Sequence, residues 1–218
     1  MKNMSMKKIW ILGAGKFGRI AYKRLIDHLP HSEITVVDKR REVHGLTGVT
    51  TVFDDGISWL AGNLKKEDMV DMIIPAIPVH VAVEWLKEKC VGKYLVSSWS
   101  LPLSYISQLP HPISSGKSTV YVSHADFFCP DNCAEPESIC TYTGAKRAKD
   151  MFRLLQDINV DGTNLQVIRS YQLLPGVGGI YPQDLWNLLD RVETMDNEPL
   201  IIATACRCHG VVDGIYLT

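Results

Sequence analysis

Two groups of residues in this 218-residue chain have types and spacings suited to chemistry. The first is Gly13-Ala14-Gly15-Lys16-Phe17-Gly18, which follows the apolar run Ile9 to Leu12 and leads into a helical pattern. A G-x-G-x-x-G turn between a strand and a helix lets backbone approach a pyrophosphate, whose charge the free N–H groups and the positive helix end then hold. Glu33 to Val37 reads as a second strand ending in Asp38, twenty residues beyond Gly18, where a carboxylate meets the hydroxyls of an adenosine ribose. A carboxylate repels a 2′-phosphate, so Asp38 favours NAD. Lys39, Arg40 and Arg41 follow at once, and an arginine there accepts that phosphate, so NADP stays open. The expected dinucleotide-binding set is Gly13, Gly15, Lys16, Phe17, Gly18, Asp38 and Lys39, with Ala76 at the carboxyl end of a later strand. The alternative is that the glycines only make a tight turn and Lys39 to Arg41 is a solvated loop.

The second group is cysteine. Cys129, Cys133 and Cys140 lie within twelve residues of Pro-rich, irregular sequence, and Cys206 and Cys208 flank Arg207, with His209 next. Three thiols on such backbone can converge on one centre, with a further ligand from the Cys206 to His209 segment; thiolate-rich sites suit zinc or an iron–sulfur cluster. The three and six intervening residues match neither a two-residue zinc knuckle nor the usual ferredoxin run. Two other readings stand beside the metal: Cys129 or Cys133 as a reactive or redox thiol, and cysteines as small buried hydrophobes. Cys90, alone at a helix end, is no ligand. His124, Asp126, Asp131, Glu135 and Glu137 surround the group and either supply acid–base chemistry and orient ligands, or form a wet charged loop. No nucleophile elbow, zinc-protease motif, P-loop or EF-hand is present, and no catalytic residue is assigned.

The elements that must position these residues alternate between strand and helix through the first half, as a parallel sheet requires. A helix from Lys16 to Leu29 is stopped by Pro30. Val49 to Phe53 forms a short strand, Asp54-Asp55-Gly56 is a turn into a weak helix with Ile57, Leu60, Ala61 and Leu64 on one face, and Met69 to Pro75 is a strong strand. A helix then carries Val79, Ala82, Val83 and Leu86, with Tyr94 to Ser97 and Val120 to Ser123 as fifth and sixth strands. Further on, Ala145 to Ile158 reads as a helix, Leu165 to Leu174 as a strand and Pro175 to Gly179 as a flexible loop. A helix starts at Pro182 and runs to about Glu193, and Leu200 to Ala205 and Val211 to Leu217 are closing strands. The expected fold is α/β: a doubly wound, mostly parallel sheet over residues 1–125, with a small Cys-containing extension over 126–218 packed against it.

The Pro75-to-His80 segment and the glycine turn together resemble Rossmann-type NAD(P)-dependent oxidoreductases, most closely the nucleotide-binding half of the glucose–fructose oxidoreductase type. Those proteins carry a strand, a Pro-x-x-x-His helix start and a later Gly-Lys-strand segment. This chain has Pro75, Pro78-Val79-His80 and Gly92-Lys93-Tyr94-Leu95-Val96. The resemblance spans Lys7 to Ser100 and implies a dinucleotide-binding domain in which His80 either touches nicotinamide or substrate, or is structural. It departs at Ser97-Ser98-Trp99-Ser100, where Trp99 stands at the family's catalytic lysine, so the family's alcohol oxidation does not carry over. The Gly-x-Gly-x-Phe-Gly turn, a strand ending in Asp and the chain length also resemble nucleotide-binding subunits that regulate potassium transport, which sense ligands rather than catalyse.

Bulk properties bound the partners. With 46% apolar and 22% charged residues, and 23 basic against 24 acidic side chains, nothing favours nucleic acid. No apolar stretch is long enough to span a bilayer, and the start, Met1 to Lys8, has no signal-peptide core, so a cytoplasmic location with reduced cysteines is expected. A small-molecule substrate or a partner protein would complete the site, and the oligomeric state, a homo-oligomer included, stays open.

Overall fold

The computed structural model describes residues 6–40, 45–195 and 198–218; Arg41 and the Met1 to Ser5 start fall outside them. Four strands form a parallel sheet: β1 (Lys8–Leu12), β2 (Glu33–Val37), β3 (Thr50–Val52) and β4 (Met72–Pro75), in the order β3-β2-β1-β4. Their Ile, Val and Leu side chains are buried on both faces at β1, β2 and β4, the mark of parallel strands covered on each side. Helix α1 (Lys16–His28) covers one face, packing Ala21 and Leu25 onto Ile9, Ile11 and Val36. On the other face lie α2 (Gly56–Asn63), α3 (Val81–Cys90) and α6 (Pro182–Val192), where Trp85 and Trp186 meet edge to face at 5.1 Å.

Those three helices are shared with a second sheet. It contains β5 (Val96–Ser98), β6 (Ile113–Ser115), β7 (Thr119–Ser123), β8 (Asn164–Arg169), β11 (Pro199–Ala205) and β12 (His209–Leu217). Its order is β6-β7-β12-β11-β8, with β5 also on β12; only β8 and β11 run parallel. Alternation along β11 sends Leu200 and Ile202 toward α3 and α6, and Ile201, Ala203 and Ala205 toward an outer core closed by α4 (Leu103–Ile106) and α5 (Met151–Asp157). The molecule is thus mixed α/β, with a parallel and a mainly antiparallel sheet sandwiching helices.

Four local expectations change. Val96–Ser98 and Thr119–Ser123 do not extend the parallel sheet; both pair antiparallel with β12. The reason lies at the edge of β4, where Ile73 and Ile180 exchange backbone hydrogen bonds of 3.0 and 2.9 Å and occupy the place of a fifth parallel strand. The Leu165 to Leu174 strand breaks at Ser170, whose N–H bonds to Ala205, and continues as β9 (Tyr171–Leu174). Pro175 to Gly179 is no loose loop: it is the turn into β10 (Val177–Gly179), antiparallel to β9. Finally, α5 starts only at Met151, because the Arg147 N–H bonds to Ser138 O and Ile139 bridges Lys146, holding the chain before Met151 out of the helix. Among the described residues, no helix is long and apolar enough to cross a membrane.

Candidate functional site

The three glycines of the first turn answer three different constraints. Gly13 has φ +100°, donates to Val37 O at 2.7 Å, and a Cβ on it would sit 2.7 Å from the Ala76 carbonyl. A Cβ on Gly18 would collide with the Gly13 carbonyl, so α1 sits on the turn only because residue 18 is bare. Gly15, the N-cap of α1, has φ −71° and meets nothing but the flexible end of Arg40, at 3.4 Å. Neither a capping side chain nor an acidic residue covers the first turn of α1, so its N–H groups and positive end stay available. The N-cap Gly15 borders a cavity of about 430 Å³, lined also by Gly13, Asp38, Lys39, Arg40 and Ala76, among others.

Asp38 is 7% exposed at the end of β2. Its Oδ2 accepts from the Ala14 N–H at 2.5 Å and Arg40 Nη2 at 3.0 Å; its Oδ1 accepts from the Arg40 N–H at 2.8 Å and Nε at 3.1 Å. The Arg40 guanidinium, helped by the two amides and opposed by burial, holds the carboxyl down to about 2, against an ordinary 3.8. A depressed carboxyl stabilises the fold above its unfolded value, and that stabilisation disappears as pH falls through the folded one. Asp38→Asn should therefore cost about 2 kcal/mol above pH 4, with the gap closing by pH 2, as read from urea unfolding across a pH series. A gap that does not narrow in acid would detach the cause from this carboxylate.

The remaining predicted residues divide. Lys16 and Phe17 give backbone to the turn, but their side chains lie elsewhere: Lys16 Nζ pairs with Asp131 at 3.0 Å and Phe17 lines a second cavity, of about 410 Å³, beside Cys129, Cys133, Cys206 and Cys208. Arg24 Nη1 donates to the carbonyls of Asp131 and Pro175, both at 2.7 Å, tying α1 to the cysteine loop. His80 takes the structural role: Nδ1–H donates to Asp213 at 2.8 Å and Nε2 faces the Thr204 hydroxyl at 2.8 Å, both deep between the sheets. Trp99 packs against the outer core and bonds its N–H to Gly214 O at 2.9 Å, remote from the parallel sheet that the family's lysine would border. The weak helix expected after the Asp54-Asp55-Gly56 turn is α2, but its reach into this site was not foreseen: Asp55 caps it through the Ile57 and Ser58 N–H groups (3.0 and 3.1 Å), bringing a second helix start to the same cavity. The signal was Asp54-Asp55-Gly56, an N-cap read only as a turn.

The cysteine expectation has a spatial counterpart. Cys129, Cys133, Cys140 and Cys208 line one cavity of about 280 Å³, with His124, Arg147 and His209. Cys129 Sγ lies 3.4 Å from His209 Nε2, and Arg147 Nη1 donates to Cys208 Sγ at 3.1 Å. Burial pushes Cys206 up to about 12 and raises Cys129 and Cys208, while the Thr143 hydroxyl and the amides of Thr143 and Tyr142 lower Cys140. Raised, half-buried thiols make poor nucleophiles at neutral pH, which counts against Cys129, Cys206 and Cys208 as reactive thiols. Among the described residues, no three His, Cys, Asp or Glu side chains stand at single-ion spacing. Cys90 is buried at the end of α3 and lines neither cysteine cavity.

Residues 82–218 match a family model, AF_1314_C, described as "Uncharacterized protein, C-terminal domain". An uncharacterized protein of Archaeoglobus fulgidus is 30% identical over 225 residues, covering 94% of this chain and 97% of its own length. No solved structure matches.

Proposed function

The chain belongs to the AF_1314_C family, and on the geometry of its first turn we propose that it binds a dinucleotide, NAD in preference to NADP, and acts on it as an oxidoreductase. The observation that carries the reading is Gly15: no backbone crowds it, yet it is bare and opens an uncapped helix start to a 430 Å³ cavity. Gly13 for the tight turn, Gly15 for phosphate approach and Gly18 for helix packing are the three glycine roles of a dinucleotide-binding fingerprint. The strand order β3-β2-β1-β4 agrees with the first half of a Rossmann sheet, with the ligand crevice at the carboxyl ends of β1 and β4. Preference for NAD follows from Asp38, which already claims the Arg40 guanidinium and leaves a carboxylate where a 2′-phosphate would sit.

Calorimetric titration of the full chain should show NAD binding at least about tenfold tighter than NADP, a difference near 1.4 kcal/mol. No heat with either nucleotide would overturn the proposal. A second reading, a non-catalytic dinucleotide sensor, draws on the Lys16–Asp131 and Arg24 contacts, which couple the nucleotide helix to the cysteine loop. Sustained NADH consumption with an added electron acceptor supports the enzyme; binding without turnover supports the sensor.

A further inference from the structure

We propose that Cys129, Cys133, Cys140 and Cys208 hold an iron–sulfur cluster in the cavity they line. The four thiols come from two separate stretches of chain, residues 129–140 and the turn at Cys208, and the fold brings them to one space of about 280 Å³. A single tetrahedral ion needs its sulfurs about 3.8 Å apart, from metal–sulfur bonds near 2.3 Å. No three ligands reach such spacing among the described residues. Four thiols spread around an open volume suit a polynuclear centre, whose iron and sulfide fill the gap between them.

Three further contacts point the same way. Arg147 is 6% exposed at its side chain, and its Nη1 rests on Cys208 Sγ at 3.1 Å. Its Nη2 holds the carbonyls of Pro136 (2.5 Å) and Glu137 (2.8 Å), so one buried cation both pins the cysteine loop and sets positive charge against a sulfur that must ionise to bind metal. An amide group also meets sulfur: the Glu135 N–H donates to Cys133 at 3.5 Å. Hydrogen bonds to ligand sulfurs are a means by which proteins tune such clusters. Last, His124 Nε2 is buried without a partner on the wall of this cavity, a donor or ligand awaiting something polar there. Cys206 stands outside the set. It is absent from the cavity that Cys140 shares with the other three and lines only the neighbouring one, which Cys129, Cys133 and Cys208 also border; its Sγ accepts the N–H groups of Cys208 and His209, both at 3.3 Å, shaping the turn that presents Cys208.

Assembly exchanges four S–H bonds for four S–Fe bonds. Four protons leave to solvent, and no net electron transfer is needed when iron is supplied as equal ferrous and ferric ions with sulfide. The inference does not depend on the nucleotide reading.

The test is anaerobic reconstitution of the full chain with those ions. The expected result is about four iron and four acid-labile sulfide per chain, as a Cys₄ site holds, with a broad visible absorption. Cys129→Ser and Cys208→Ser should each lose at least about five-fold of that absorption, while Cys90→Ser keeps it. Because a serine variant can lose a cluster by unfolding, iodoacetamide mapping of the wild-type chain supplies a second readout. Reconstitution should protect Cys129, Cys133, Cys140 and Cys208 from alkylation. Equal labelling with and without iron and sulfide, stoichiometric zinc with no labile sulfide, or equal loss of absorption in Cys90→Ser would each overturn the cluster.

Discussion

Gly15→Val should weaken NAD binding at least about 100-fold, near 2.7 kcal/mol, while the melting temperature stays within about 2 °C of wild type. The separation of the two effects is the point. The backbone of Gly15 sits at φ −71°, ψ −163°, which valine adopts without strain, and its missing Cβ meets only Arg40 Nη2, at 3.4 Å. At the Cβ position the new side chain therefore strikes no backbone in the empty protein, and its methyl groups project from there. They stand where a pyrophosphate must come to touch the α1 amides, and a phosphate held a bond length too far loses its charge-assisted hydrogen bonds. Gly18 is the contrast, since its Cβ would strike the Gly13 carbonyl and disturb the fold itself. Calorimetry of the two proteins decides: valine at position 15 with undiminished affinity would remove the binding mode altogether.

His80→Ala should lower unfolding free energy by about 4 kcal/mol and the melting temperature by about 10 °C, among the largest single-site losses expected here. His80 and Asp213 are each 6% exposed and meet at 2.8 Å; Thr119 Oγ1 adds a 2.5 Å bond to the other Asp213 oxygen. Removing the imidazole leaves the Asp213 carboxylate buried with one partner and strands the Thr204 hydroxyl. The expense is that of an uncompensated buried charge, which exceeds the worth of the pair itself. Because His80 caps α3 below the first sheet and Asp213 and Thr204 belong to the second, the loss should register as one cooperative transition shifted downward. A thermal scan that moves less than about 2 °C would reduce the triad to an incidental contact.

How much of this was written in the residues depends on range. The β1–turn–α1–β2 unit was legible because apolar period, glycine spacing and Asp38 all lie within thirty residues and agree. Pairing partners were not, since Val96 and Val120 look alike as strand residues whether the neighbour runs parallel or antiparallel. What decided them was Ile180 taking the β4 edge, a contact that no local pattern encodes. In the cysteine region the residue types were informative and the geometry was not. Cys129, Cys133, Cys140 and Cys208 stood out, but Arg147 was hidden inside an apparent helix, and His124 was only one of five polar residues named around the group. His80 carried no visible partner, because Asp213 lies far along the chain in an apolar strand.

The central place of β12 has a consequence for how the molecule is made. β5, β7 and β11 all bond to His209–Leu217, a strand that emerges after all three of them during synthesis. The parallel sheet can assemble early on the ribosome from β1 to β4, whereas the second sheet has no middle until β12 arrives. Until then α3 and α6, which both sheets share, have only one of their two walls, and β5, β7 and β11 wait as unpaired edges of the kind chaperones recognise.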